Sequence, residues 1–383
     1  MWYNIIMIET LSGAERLTGE AAREIYFPRT MTEALVERWG DGIPSFSDAD
    51  PLRPEWRATR VLRLNELPNV LVKDESDPLS NPTRTVKDRA AWELGTLYRD
   101  FARACFLDLR SGRFSRNDLH ATLIPRLTLI TSGNEGRAVA ECFARYGLPP
   151  PKIVVSNTLP LEQPRTYDAL RKLRADLYLA DLSVPLAPEE IRHLSHNDDG
   201  IDITSVRSIE PNATFYDWQV HEVFGEEPDE VYVPYGSGRL TENYLTWQDR
   251  TRVHAATGQR DPRLTTSPDK VRRISILAAE PERSDSIADK LTAPFKPFLL
   301  FKGDDMNALR QFMFTGPDTQ KDTVSEAFID EAHRMLLGNG IDAEPSGAAG
   351  LALYLKRLRQ GATDSFRRVV VVNTGMGLYE GKE

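Results

Sequence analysis

Short apolar, β-branched runs alternate along this chain with stretches whose apolar residues recur at helical spacing. The runs predict strands over 69–73, 127–131, 153–156, 177–180, 230–234, 274–278 and 369–373. Several are unbroken, Val369-Val370-Val371-Val372 most of all. Such runs suit strands covered on both faces of a parallel sheet. Helices are expected over 135–146, 213–224, 324–337 and 348–358. The first puts Ala138, Cys142 and Tyr146 on one side, with Val139 and Phe143 beside them. Strand–helix alternation of this kind means α/β layers with right-handed crossovers.

Composition bounds that picture without changing it. The chain has 383 residues, enough for two ordinary domains, with 40% apolar and 27% charged residues. Net charge is -9. This gives no general electrostatic reason to expect nucleic acid or an anionic membrane as partner. The basic run Arg171-Lys172-Leu173-Arg174 reads as a solvated helix face. Cys105 and Cys142 are far apart and show no metal or CxxC spacing, so a reduced, cytoplasmic setting is expected. The six histidines form no HExxH pattern, and no metal is expected. Residues 2–8 are apolar but too few to span a membrane, and they lack a basic flank. Stretches 101–126 and 256–270 read as surface insertions.

Five separated segments carry candidate chemistry. In Asn81-Pro82-Thr83-Arg84-Thr85-Val86-Lys87-Asp88-Arg89, Pro82 and the threonines mark a helix start, with Lys87 in its first turns. A helix N-terminus disfavours an ammonium there, and a neutral amine is what Schiff-base formation needs. An ordinary surface lysine in a capped helix fits the same residues. Thr131-Ser132-Gly133-Asn134-Glu135-Gly136 lies at a strand end and helix start. It could hold a carboxylate or be a plain βα turn. Pro234-Tyr235-Gly236-Ser237-Gly238-Arg239-Leu240 can close its N–H groups on a phosphate, but the full Rossmann and Walker patterns are missing. Glu344-Pro345-Ser346-Gly347-Ala348-Ala349-Gly350 allows close approach, to something flat or simply to another backbone. Asn373-Thr374-Gly375-Met376-Gly377-Leu378 follows the most apolar strand, which puts Thr374 at the carboxyl edge of the sheet.

In this order the five segments resemble the tryptophan-synthase-β group of pyridoxal phosphate enzymes, fold type II, and within it the threonine synthases. The likeness runs from about Thr59 to Leu378. It includes Lys73-Asp74-Glu75-Ser76 ahead of the lysine segment. The resemblance implies two three-layer α/β domains with mainly parallel sheets and pyridoxal 5′-phosphate in the cleft between them. Residues 1–83 and 205–383 would form the larger domain and 84–204 a smaller, mobile one. Lys87 resembles the Schiff-base lysine and Asn134 the asparagine at the ring hydroxyl. Gly236, Ser237, Gly238, Arg239 and Leu240 resemble the phosphate loop, and Thr374 the hydroxyl residue at the pyridine nitrogen. Thr131, Ser132, Asn134 and Glu135 would lie around the substrate carboxylate.

The resemblance implies a lyase or synthase acting at Cβ or Cγ of an amino acid, with O-phosphohomoserine as leading substrate. Ser205, Arg207 and Arg239 are the donors available for a substrate phosphate, and Glu210 opposes one. β-Replacement on an activated serine and ammonia-lyase action on serine or threonine are the alternatives. A homodimer is left open. The chain departs from the family pattern at Arg84-Thr85-Val86, where small and aromatic residues are usual. It departs again at Glu135 and Arg137, and at Tyr235 and Arg239 beside the glycines.

Overall fold

The computed structural model describes residues 57–95, 98, 126–131, 133–173, 175–182, 200–202, 216–257, 266–292 and 319–378. In chain order the elements begin with β1 (Arg60–Arg63), β2 (Val70–Asp74), α1 (87–95) and β3 (Arg126–Ile130). Next come α2 (Asn134–Arg145), β4 (Lys152–Ser156), α3 (Leu159–Glu162), α4 (Pro164–Lys172), β5 (Asp176–Ala180) and β6 (Gly200–Asp202). Then follow α5 (Asp217–Gly225), β7 (Glu230–Pro234), α6 (Arg239–Thr257), α7 (Pro268–Arg272), β8 (Ser275–Pro281) and α8 (Asp289–Thr292). The last are β9 (Thr319–Val324), α9 (Glu326–Gly338), α10 (Pro345–Arg359) and β10 (Val369–Asn373). They fall into two compact units, which divide at Ala90/Ala91 and again at Asn212/Ala213.

One unit holds a six-stranded sheet in the order β1-β2-β10-β7-β8-β9. Only β1 is antiparallel. β2, β7 and β10 are buried along their whole length, as their unbroken apolar runs require. Val371 sits between Val72 and Tyr232. Each valine of β10 removed from water contributes about 1.5–3 kcal/mol. α10 is buried continuously from Pro345 to Leu355, which makes it the core helix of this unit. Its glycines serve that packing. A Cβ on Gly350 would meet the Tyr232 carbonyl oxygen at 2.8 Å, and one on Gly347 the Gly375 oxygen at 2.8 Å. Close backbone approach, the plainer reading of 344–350, is therefore what its small residues provide.

The other unit has a four-stranded parallel sheet, β5-β4-β3-β6. α2 turns Ala138, Val139, Cys142 and Phe143 inward, as its spacing predicts, while Tyr146 only caps its end. Cys142 is buried. Arg171 and Lys172 are exposed at the end of α4, as expected for a solvated face.

All seven expected strands form, within three residues at each end. Three others escaped the pattern. β1 and β9 are half-exposed edge strands, rich in Arg, Lys and Asp, and β6 has only three residues. Val324, expected in a helix, instead ends β9, and Ser325 caps α9. Residues 256 and 257 finish α6, and 268–272 form α7, so the 256–270 stretch is helical at both ends.

Candidate active site

β2, β10, β7 and β8 run parallel, so their carboxyl ends share one edge of the sheet. Strands β7, β8 and β9 follow one another outward, while β10 lies on the other side of β7. The strand order reverses between β7 and β10, which is where open α/β sheets bind ligands. The segments leaving β2, β10 and β7 contain Lys87, Thr374 and Gly236–Leu240.

Lys87 is the first residue of α1 and is half-buried. The chain before it is stitched to the exit of β10. Thr85 bridges Gly375, the Val86 N–H donates to the Thr374 carbonyl at 3.0 Å, and the Met376 N–H donates to the Arg84 carbonyl at 3.0 Å. Thr85 Oγ1 accepts the Lys87 N–H at 3.2 Å. Asp88 secures the other side, accepting from Thr83 N at 2.9 Å and Thr83 Oγ1 at 2.8 Å. Lys87 and Thr374, paired only by resemblance in the sequence, thus sit on two segments bonded to each other.

Beneath α1 lies a buried charge cluster that the sequence did not announce. Arg89 Nε donates to Glu75 at 2.8 Å, and its two terminal nitrogens each donate to Glu222 at 2.8 Å. It also donates to Thr59 Oγ1 at 2.9 Å. Lys73 pairs with Glu222 and donates to the Thr59 carbonyl at 2.7 Å. Two cations meet two carboxylates, so the cluster is neutral. Burial works against the charge on Arg89, but Glu75 and Glu222 outweigh it and raise its proton affinity. Burial likewise pushes the Glu222 carboxyl up, yet Arg89 and Lys73 prevail and hold it below the ordinary carboxylate value. The Lys73-to-Ser76 motif is therefore scaffold: Asp74 accepts from the Asn373 amide at 3.1 Å, and Glu75 from Asn81 at 2.8 Å.

The loop from β7 to α6 carries glycines where side chains would crowd the protein's own atoms. A Cβ on Gly236 would press on Leu291 at 3.3 Å and the Lys290 carbonyl at 3.4 Å. Gly238 has φ +85, which a side chain rarely adopts, and its missing Cβ faces the buried Tyr235 ring. Arg239 opens α6, and the first turn closes from Glu242 N to the Gly238 carbonyl at 2.8 Å. The N–H groups ahead of that bond are those a helix leaves for an anion. Burial raises the Glu242 carboxyl, against the opposing charge of Arg239.

In the other unit, Thr131 leaves β3 and is buried, and Asn134 begins α2 with Glu135 beside it. Gly133 has φ +134 and donates its N–H to Thr131 Oγ1 at 3.2 Å. Ser132, Ser205, Arg207 and Glu210 lie outside the described residues.

The family model described as "Pyridoxal-phosphate dependent enzyme" matches residues 52–375. The chain belongs to that family. No curated protein matches the sequence. Among solved structures, a pyridoxal 5′-phosphate-dependent aspartate racemase superposes with TM-score 0.57 at 16% identity, over 85% of this chain and 91% of its own. Maize serine racemase gives 0.54 at 18%, over 85% and 89%. An O-acetylserine sulfhydrylase isoform from Entamoeba histolytica gives 0.54 at 15%, over 89% and 96%. At such identities the likeness shows the fold, the expected fold type II α/β architecture.

As a member of this family the chain takes pyridoxal 5′-phosphate as cofactor. The residues present fit that group. A lysine opens a helix against a threonine segment at the strand exit, and a glycine loop leads into a helix N-terminus whose first N–H groups suit an anion. Among the described residues no helix is long and apolar enough to cross a membrane.

Proposed function

We propose that this chain eliminates or replaces a leaving group at Cβ or Cγ of an amino acid, with O-phosphohomoserine, converted to threonine and phosphate, as the first substrate to test. The observation that carries the reading is the bond from Val86 N–H to the Thr374 carbonyl. It holds the lysine segment and the Thr374 segment together at the carboxyl edge of the sheet.

Lys87 Nζ would hold the cofactor and, once released, move the proton at the substrate Cα. When bound, pyridoxal 5′-phosphate supplies an electron-withdrawing ring that takes up the charge left at Cα. The Thr374 hydroxyl would meet the ring nitrogen as a neutral partner, which suits elimination and replacement better than transamination. Gly236 to Leu240 would bind the cofactor phosphate, and Asn134 the ring hydroxyl. Thr131, Ser132, Asn134 and Glu135 would lie around the substrate carboxylate. Ser205 and Arg207, with Arg239, would serve a phosphate on the substrate.

A second reading keeps these roles and changes the substrate to an activated or free serine, or to threonine. Glu242, half-buried in the first turn of α6 and within the field of Arg239, favours it by drawing on the same cation a substrate phosphate would need. Phosphate release from O-phosphohomoserine, with O-phosphoserine, O-acetylserine, serine and threonine in parallel, separates the two. Reaction of the acetyl ester alone ends the O-phosphohomoserine assignment in favour of the second reading.

A further inference from the structure

Arg84 stands three residues before Lys87 with φ 63, one of two non-glycine residues at positive φ among the described residues. A side chain there is disfavoured roughly tenfold against glycine. Its backbone and its side chain are both held. Its carbonyl accepts from Met376 N at 3.0 Å and Gly377 N at 3.4 Å. Its Nε donates to the Ser76 carbonyl at 3.4 Å. Its guanidinium pairs with Asp342.

Asp342 is anchored in turn. Its carbonyl accepts from Asn373 Nδ2 at 2.9 Å, while Asn373 Oδ1 accepts from Gly375 N at 3.1 Å. The contacts close a ring, from the exit of β10 through Asp342 to Arg84, and back along 84–86 to Thr374. The geometry points to the Arg84–Asp342 pair as a positioning device that sets where the Lys87 amine stands. The pair is 32% and 50% exposed, so as a source of stability it amounts to no more than about fivefold in an equilibrium. Its contribution is geometric. The left-handed turn directs 85–87 along the exit of β10, and the bridge to Asp342 keeps that turn from relaxing. The role rests on Lys87 being the cofactor lysine.

Arg84→Gly removes the strain and the bridge together. A purely structural arginine would make stability and cofactor retention move the same way. The positioning role gives opposite signs. The urea midpoint of the full chain stays level or rises. Pyridoxal 5′-phosphate dissociates about fivefold more readily, and the pH midpoint of its visible absorbance moves by about 0.7 unit, the same energy as proton affinity. Asp342→Asn gives the same spectral shift, Arg84→Lys recovers part of it, and the double variant is no worse than either single one. Unchanged retention and spectrum in Arg84→Gly, or additive losses in the double variant, overturn the role. Lys87→Ala is run beside them: if borohydride still fixes the cofactor to it, the Lys87 reading itself fails, whatever the Arg84 variants do.

Discussion

Replacing Gly375 by alanine should detach the lysine segment from the end of β10. Gly375 has φ +108, and a Cβ there would lie 2.2 Å from the Arg84 carbonyl oxygen and 2.8 Å from Thr85 Cα. Both are backbone atoms, so no side chain can swing clear, and the segments must separate by roughly 1 Å to reach ordinary contact. That movement breaks the bonds from Met376 N to Arg84 and from Val86 N to Thr374, both 3.0 Å. Each is worth about 1 kcal/mol. Alanine at positive φ adds about 1–2 kcal/mol. The sum is about 3–4 kcal/mol, well above the backbone part alone. Gly361 provides the control: it has φ +67 and nothing within 4 Å of its absent Cβ. Gly361→Ala should therefore cost only the backbone part. Urea unfolding of both variants, with cofactor absorbance recorded on the folded protein, measures the difference. Equal destabilisation of the two, with cofactor retained in both, would refute the stitching of 84–87 to 373–377.

The charge cluster gives a pH dependence. Because the Glu222 carboxyl is held below its ordinary value, its contribution is complete above the ordinary carboxylate range. It is lost as pH falls through the lower, folded-state value. Glu222→Gln, which leaves Arg89 and Lys73 short of a partner, should cost about 3–5 kcal/mol near neutrality. It should also flatten the acid limb of the urea midpoint against pH, and parallel curves for variant and parent would count against it. Borohydride reduction followed by peptide mapping should place the pyridoxyl group on Lys87, and label on another lysine would end that assignment. Gly238→Val adds a β-branched side chain at φ +85, against Tyr235, and should weaken cofactor retention measured by dialysis. Unchanged occupancy would move the phosphate elsewhere.

The parallel core strands were legible because burial on both faces leaves an unbroken apolar run, as in Val369–Val372. Edge strands leave no such trace. β9, Thr-Gln-Lys-Asp-Thr-Val, pairs on one side only among the described residues and reads as loop. Lys87 at a helix start and the glycine loop before α6 could be read from turn and capping residues. The cluster around Arg89 could not. Glu222 lies 133 positions from its partner, and an isolated glutamate in an amphipathic helix reads as solvated. Arg84 was visible as a departure from the family pattern, but its positive φ and its tie to Asp342 belong to the fold.

β10 follows every other described strand in the chain, yet it lies between β2 and β7 in the sheet. Until residues 369–373 arrive, the facing edges of β2 and β7 are unpaired, and both are strands with no exposed residue. Such edges are where chains cross-pair. On a ribosome this unit would wait, with its most adhesive edges open, for a strand made after all its other described strands. Chaperone demand and inclusion-body formation should therefore respond more to changes in 369–373 than to changes of equal hydrophobicity in β1 or β9.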